Sequence, residues 1–534
     1  MTARLRPHGR PMTPRARALV AGALLSVAPA APAALAAQAS PFVPVDDPAY
    51  AYVDALLARG ELRSLTALER PYTVAALRRA TADADSSGIR GDWLRALRRR
   101  ITVYDARPAG ATDSVPALHG YVSARVTGTA QSSGRRELML ADDEGGVHPG
   151  AALLLGASTG NLAIGARIAG DQRLQDDPEF DGKRDGGISG RVEEAYVSGQ
   201  WRFGELFLGR MARNWGPQQV AGLQVGDYAY SYDHLFARLG TERLRLMTVI
   251  ARLDDRPGLY DPVVQRYLSV HRLAGRWRDV EIAATETYVY SGAGRGFEPS
   301  LANPLTPVLI PHYNEADRDG NVSFALDLHW RTPVGTFAAQ GMVDDFQFES
   351  GEETTEEPSS YGVTVAGEGL PLFGDQRWFA SYTRVSNLTY RTGNIGDSYI
   401  VEGLSPGRGS SDYDELRLGV DLAVLPSMPV RLYAARRRQG EGDYRLPFPS
   451  PEENADTPGF LAGRVARVTR IGASAAGALL EGVALTADVG FNDVSGFDRA
   501  YAIDGPVPLA GSGIAGRVRL TLDPSFLRRR FALF

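Results

Sequence analysis

The stretch that most constrains this chain runs from Val322 to Phe348. Val322, Phe324, Leu326, Leu328 and Trp330 alternate with Ser323, Ala325, Asp327, His329 and Arg331, so one face is apolar and the other mostly polar. A period of two predicts a strand lying between two different solvents. Thr332, Pro333, Val334 and Gly335 form a tight turn, and Phe337, Ala339, Gly341 and Val343 run extended again, which makes a β-hairpin. The unit recurs at Leu416–Val424 with Val430–Tyr433, and again at Val483–Asn492, without the fixed period of a propeller or solenoid.

No segment beyond the N-terminal region offers the roughly 20 uninterrupted apolar residues of a spanning helix. A chain of this pattern crosses a membrane only as a closed barrel. At 534 residues the length alone would suggest several domains, but a large barrel breaks that prior. About eighteen strands are expected between 117 and the C-terminus, an even number, as a single-chain outer-membrane barrel requires. Their connections alternate. Short turns fall near 158–161, 202–205, 240–242, 277–279, 332–335, 426–429 and 479–482, with long polar connections between them. That order fits short periplasmic turns on one rim and long extracellular loops on the other. A soluble exported β protein is the fallback.

Residues 1–36 read as a signal peptide: Arg4, Arg6, Arg10, Arg15 and Arg17 precede an apolar, small-residue core from Ala18 and a cleavage site at Ala34-Leu35-Ala36. Removing those five arginines takes the formal net charge from −5 to −10. So acidic a protein is a poor partner for nucleic acid. There is no cysteine, so disulfides and thiolate metal sites are excluded. Residues 41–105 change to helical spacing, with a start at Asp47-Pro48, another at Arg70-Pro71-Tyr72-Thr73, and a third helix around Trp93, Leu94 and Leu97. A small periplasmic helical bundle is predicted there, followed by a linker at Pro108–Pro116 and the barrel at 117–534. The terminal aromatic, Phe534, suits outer-membrane assembly, and the 22 tyrosines suit interface girdles.

Candidate functional residues are few. Trp215 with Tyr228, Tyr230 and Tyr232 is the best saccharide set, because aromatic faces stack on sugar C–H surfaces; loop packing or an interface girdle explains them as well. Gly292-Ala293-Gly294-Arg295-Gly296 lacks the ending and the helix of a phosphate loop, which leaves Arg295 as a contact for acidic sugars. Asp327, His329, Arg331, Arg417 and Asp421, with Arg431 and Arg436, are read as facing the lumen, in preference to a His329 relay. His271 and His312 are the other notable histidines, Asp344-Asp345 is a rim position before it is a Ca²⁺ site, and Glu349–Glu357 is a solvated acidic loop. Neither a serine-nucleophile elbow nor a His-Glu-Xaa-Xaa-His pair is read from the chain. No catalytic residue, metal or cofactor is therefore expected.

Three stretches resemble the capsule-assembly Wzi family of outer-membrane proteins: Asp47-Pro48-Ala49-Tyr50 with Leu56-Leu57-Ala58-Arg59-Gly60 and Arg70-Pro71-Tyr72-Thr73; Arg213-Asn214-Trp215-Gly216-Pro217 after Gly209-Arg210; and Gly294-Arg295-Gly296-Phe297-Glu298 leading to Asn303-Pro304-Leu305. The resemblance implies an eighteen-stranded outer-membrane barrel with a periplasmic helical bundle that holds or assembles capsular polysaccharide at the cell surface. A monomer bounded by outer-membrane lipid is expected. The alternative is a porin-like diffusion channel.

Overall fold

The structure, a computed structural model, describes residues 39–107 and 117–533 except 185, 219, 259–261, 309–319, 346–358, 447, 451–452, 454–455 and 497–509. The signal segment, the Pro108–Pro116 linker, His312 and the acidic run Glu349–Glu357 lie outside the described residues.

Antiparallel strands close into one barrel. They run from Leu118–Gln131 through Asn321–Thr332 and Gly335–Asp345 to Gly513–Leu522 and Arg529–Leu533. The last two segments are halves of one strand. Val126–Gln131 pairs with Arg517–Leu522, and Leu118–Val122 pairs with Arg529–Leu533. Counted so, the barrel has eighteen strands. The break follows from Asp523-Pro524: proline cannot donate to the ladder, and the Asp523 carboxylate accepts from Arg125 Nε at 2.7 Å inside the barrel. The sequence reading missed the second half, whose five residues include Arg529 and Arg530.

Burial along the organising strand inverts that of a soluble protein. Leu326, Leu328 and Trp330 are 65%, 39% and 50% exposed to the lipid side, while Asp327, His329 and Arg331 are 1%, 5% and 8% exposed. The apolar face meets lipid and the polar face meets the lumen. Trp201, Trp277, Trp330 and Trp378 lie outward beside the short turns. The periplasmic girdle is thus tryptophan. Tyrosine, expected in interface girdles, is divided: Tyr267, Tyr361 and Tyr382 lie outward near the long-loop ends of their strands, while Tyr52, Tyr390 and Tyr444 are fully buried. One lumen assignment is also corrected. Arg436 sits opposite Leu416 and lies on the outward face with Leu432, so its neighbour Arg437 takes the inward position.

The N-terminal segment fills the periplasmic end of the lumen. Helices α1 (Ala49–Leu57), α2 (Val74–Ala82) and α3 (Gly88–Ile101) pack on one another through Tyr52, Leu56, Leu77, Trp93 and Leu97. Trp93 Nε1 donates to Leu425 O at 3.0 Å in a short turn, and the Ala39 amide donates to Gly160 O at 2.9 Å in another. Asp47 ties the bundle to the wall. Its carboxylate caps α1 through the Ala49 amide at 2.9 Å and accepts from Arg100 Nη2 and the Tyr104 hydroxyl, each at 2.6 Å. Arg100 in turn reaches Asp523, which Arg125 also holds.

Replacing Leu326 by Arg should destabilise the barrel by about 2–4 kcal/mol, as expected for a cation at mid-bilayer. Lumen-facing Thr486→Lys should change stability by no more than about 0.5 kcal/mol. Denaturant unfolding in lipid vesicles measures both, and equal effects would refute the assigned faces. A second prediction concerns pH. Burial pushes the Asp47 carboxyl up, but Arg100, Arg125 and Tyr104 outweigh it and hold the group below its ordinary value of 3.8. A depressed pKa contributes stability that is full above the ordinary value and lost as pH falls through the depressed one. Docking of the bundle should therefore persist at pH 5 and weaken below about pH 4. Cleavage by an acid-active protease should rise over that interval in the parent and less in Asp47→Asn, which begins partly undocked.

Candidate functional site

The N-terminal segment enters the lumen from one end and a long loop enters it from the other, and the two meet inside the barrel. After Gly204–Met211 the chain turns inward instead of arching outside, and Asn214–Trp215 pairs antiparallel with Glu69–Arg70 of the N-terminal segment. The Gly216 amide donates to Leu68 O at 3.0 Å. Gln340, projecting from the wall, accepts from the Leu223 amide at 2.7 Å and donates to Trp215 O at 3.1 Å. Gly216 has φ +146 and an added Cβ would stand 2.8 Å from Gln340 Oε1, so glycine is required at this contact.

Buried charge surrounds the joint. Arg245, with no side-chain exposure, donates to both Glu69 oxygens at 2.8 Å and reaches Glu281 at 2.5 Å. Arg272 lies 3.4 Å from Glu69 Oε1, pairs with Asp327, and donates to Thr285 Oγ1 at 2.7 Å. Its guanidinium stands 5.4 Å from the Trp215 ring centre. Glu281 also accepts from the Ala67 amide at 2.9 Å. Burial raises the Glu69 carboxyl, yet Arg245 and Arg272 prevail and keep it below its ordinary value. Three carboxylates and two guanidiniums thus lock the N-terminal segment to the wall.

The residues nominated on the lumen face separate into different structures. Asp327 belongs to the lock, and Arg331 donates to Leu65 O at 3.1 Å. His329 lines a cavity between the bundle and the wall with Asp54, Glu368, Arg417 and Arg431. Asp327, His329 and Arg331 therefore form no relay. Asp421 accepts from Arg431 Nε at 2.6 Å and Nη2 at 3.0 Å, and Arg417 lies 4.6 Å from the Tyr433 ring centre. Asp344 accepts from the Tyr390 amide, which makes it part of the loop packing.

The nominated aromatic set is only partly assembled. Trp215 is 2% exposed, deep in the joint. Tyr228 and Tyr230 come together at the extracellular roof. The Tyr228 hydroxyl donates to Glu179 at 2.6 Å and the Tyr230 hydroxyl to Asp177 at 2.7 Å. Arg136 and Arg191 lie at 4.2 Å on the Tyr230 ring, and Arg136 at 4.9 Å on Tyr228. Arg445 bridges to Glu179 at 3.3 Å and to Asp443 at 3.1 Å. Tyr232 begins the next strand, tilted against His234. These ring faces are occupied by protein, which leaves arginines, carboxylates and tyrosine edges as the groups the roof offers. Exposed Asp181, Lys183 and Arg184 follow Asp177 and Glu179 in the same loop. Arg136, Arg191, Asp177, Glu179 and Arg445 carried no signal in the sequence, because they come from four separate loops and strands with no common spacing.

Arg295 lies elsewhere. It pairs with Glu298 at 2.8 Å and sits 4.7 Å from the Tyr290 ring centre. Tyr288 and His271 share the outward face with Leu273 and Ile282, yet are buried, because Leu301 and Val308 of the following loop cover that patch. His271 Nδ1 is 2.9 Å from Glu286, which accepts from the Val308 amide at 2.9 Å. The described part of this loop, through Val308, packs down the outer wall. A further motif had escaped notice: Gly156-Ala157-Ser158-Thr159-Gly160 fits the five-residue pattern of a nucleophile elbow. It closes a hairpin between Gly146–Thr159 and Leu162–Asp171, without the helix an elbow needs. Ser158 faces His119 across the ladder, but Ser158 Oγ and His119 Nδ1 have no hydrogen-bond partner.

No family model and no curated protein sequence matches the chain. Among solved structures it is similar to Wzi of Escherichia coli, described as an outer-membrane protein involved in group 1 capsule assembly and a carbohydrate-binding β-barrel, with a TM-score of 0.60 at 14% identity over 91% of this chain and 99% of that one. It also matches OccD3 (OpdP) of Pseudomonas aeruginosa, at TM-score 0.42 and 12% identity over 80% of this chain and 94% of that one. OprD of the same organism matches at 0.43 and 9% over 78% and 96%. These likenesses are of fold. The likeness to the E. coli barrel, together with the inverted faces, gives this chain a membrane-spanning β-barrel of Wzi-like architecture.

Proposed function

We propose that this protein binds and organises surface polysaccharide at the extracellular face of the outer membrane, as a non-catalytic monomer surrounded by lipid. The observation that carries this reading is the pairing, inside the lumen, of Glu69–Arg70 from the N-terminal segment with Asn214–Trp215 from a long loop, which obstructs the water path from both sides. A diffusion channel needs a continuous water path, whereas an attachment protein needs a rigid barrel that holds a shaped outer surface. The roof around Tyr228 and Tyr230 supplies such a surface. Its arginines suit carboxylate-bearing sugars, since a guanidinium donates two parallel hydrogen bonds to the two oxygens of one carboxylate. The carbohydrate-binding description of the E. coli barrel of similar fold supports the same reading.

Replacing Arg136 and Arg445 together by Ala should weaken binding of purified acidic polysaccharide about tenfold, a change of ~1.4 kcal/mol. Retention on immobilised protein measures it, and the band shift on boiling confirms that the variant barrel is folded. In planar bilayers the parent should give no steady conductance. Open-channel conductance combined with unchanged polysaccharide binding in the double variant would overturn the reading in favour of solute diffusion.

Glu69→Gln tests the closure itself. Breaking one partner of a buried ion-pair network costs about 3–5 kcal/mol. The variant should show faster proteolysis of the N-terminal segment and transient conductance steps absent from the parent. Identical behaviour of the two would show that the joint does not hold the lumen shut.

A further inference from the structure

The outward face of the barrel is apolar along most of its circumference, and a run of five strands departs from that with an excess of arginine. Arg384, Asp414, Arg438, Arg467 and Ser495 are cross-strand neighbours on five consecutive strands. By the same registers, Tyr382, Leu416, Arg436, Thr469 and Asp493 form the next row towards the membrane centre. Below them come Ala380, Leu418, Ala434, Ile471 and Phe491. Leu418, Ile471 and Phe491 are 49%, 68% and 53% exposed, which puts this third row against lipid. The rows are about 7 Å apart along the strands. All these strand ends adjoin long loops, so the charged rows lie at the extracellular boundary of the hydrocarbon.

The charges do not cancel within the protein. Asp414 holds Arg438, with Nε to Oδ1 at 2.9 Å, and also accepts from the Tyr382 hydroxyl at 3.2 Å. Arg384 is stacked 3.7 Å from the Phe460 ring centre. Arg436 and Arg467 are exposed, and neither has an ion pair among the described residues. Arg438 stands directly opposite Arg467. Like charges directly opposite on one sheet face repel unless an anion lies between them. On the other side of Arg438 an open notch between Tyr382, Asp414, Leu416, Arg436 and Arg438 leaves further room for an anionic group beside these arginines. Elsewhere near the long-loop ends of the strands the wall carries exposed Val147, or the self-paired Arg210 and Asp233 at 2.9 Å.

We propose that Arg384, Arg436, Arg438 and Arg467 hold the phosphate groups of a phosphorylated glycolipid of the outer leaflet. Its acyl chains then lie along the apolar rows of Leu418, Ile471 and Phe491. Anionic headgroups sit one step above the hydrocarbon, the height of the arginines, and charge-assisted bonds to phosphate are strongest at such a partly dry boundary. Soluble anions meet the arginines alone, whereas a lipid meets the arginines and the apolar rows together. The lipid is therefore the fitting occupant.

The test is native mass spectrometry of the full-length folded protein in detergent, with bisphosphorylated lipid A and its dephosphorylated form as probes. The parent should retain the bisphosphorylated form and bind the dephosphorylated form at least about tenfold more weakly. Arg436→Gln with Arg467→Gln should lower binding of the phosphorylated lipid by a similar factor, while Arg210→Gln should leave it unchanged. The band shift on boiling reports folding of each variant, and the comparison of the two lipids on the parent needs no variant. Equal binding of both lipids, or no loss in the double variant, would overturn the proposal. Full displacement by millimolar inorganic phosphate would assign the patch to a soluble anion and overturn it too.

Discussion

Five buried charges around Glu69 decide what kind of barrel this is. Eighteen strands enclose a space too wide for wall side chains alone to fill. An arginine such as Arg245 projecting into that space needs either water or carboxylates. Here it finds Glu69 from the N-terminal segment and Glu281 from the wall, both within 2.8 Å. Removing two guanidiniums and three carboxylates from water is costly, and the geometry offsets that cost only when every partner is present. The network therefore acts less as a reserve of stability than as a register. It accepts the N-terminal segment in one position, and that position presents Glu69 and Arg70 to the incoming loop.

The loop's descent follows from the same joint. A twenty-residue connection at the top of a barrel has no intrinsic reason to enter the lumen, since its backbone amides would lose water. Asn214 and Trp215 replace that water with a two-residue ladder to Arg70 and Glu69. Gln340 supplies the remaining donor and acceptor from the wall. Two stretches that stand far apart in the sequence, around Arg70 and around Trp215, are thus one structure. The roof above inherits its shape from them: Tyr390, whose hydroxyl donates to Leu223 O, stacks at 5.7 Å on Tyr399 and edge-on at 6.3 Å against Tyr444.

The barrel was legible in the sequence because its physics repeats every two residues. Leu326 against Asp327 states the two solvents as plainly in the chain as in the structure, and the short turn at Thr332–Gly335 falls where the alternation resets. The helices were legible through their caps and spacing. What the sequence did not disclose depends on contacts without a period. Trp215 looks like a free sugar platform until its partners at Glu69 and Arg272 are known. Arg295 looks like a residue of the mouth until its loop is seen lying on Tyr290 outside. The final half-strand was hidden because Asp523-Pro524 interrupts the pattern for a reason, the pull of Arg100 and Arg125, that lies on other elements.

Arg436 shows the limit most clearly. In Arg436-Arg437-Arg438 the alternation offers no polarity contrast, so the run alone cannot tell lumen from lipid. Register decides it, since Leu416 opposite Arg436 and Ala435 opposite Arg417 fix the faces. Once fixed, the surprise is that two of the three arginines point at the membrane boundary. A chain that had only to stay in lipid would place apolar residues there, as it does at Val147. Keeping cations at such a height is unfavourable in hydrocarbon and favourable beside phosphate. The wall of this barrel therefore carries binding chemistry separate from that of its roof, and the two are joined only by the loops that rise from the same strands.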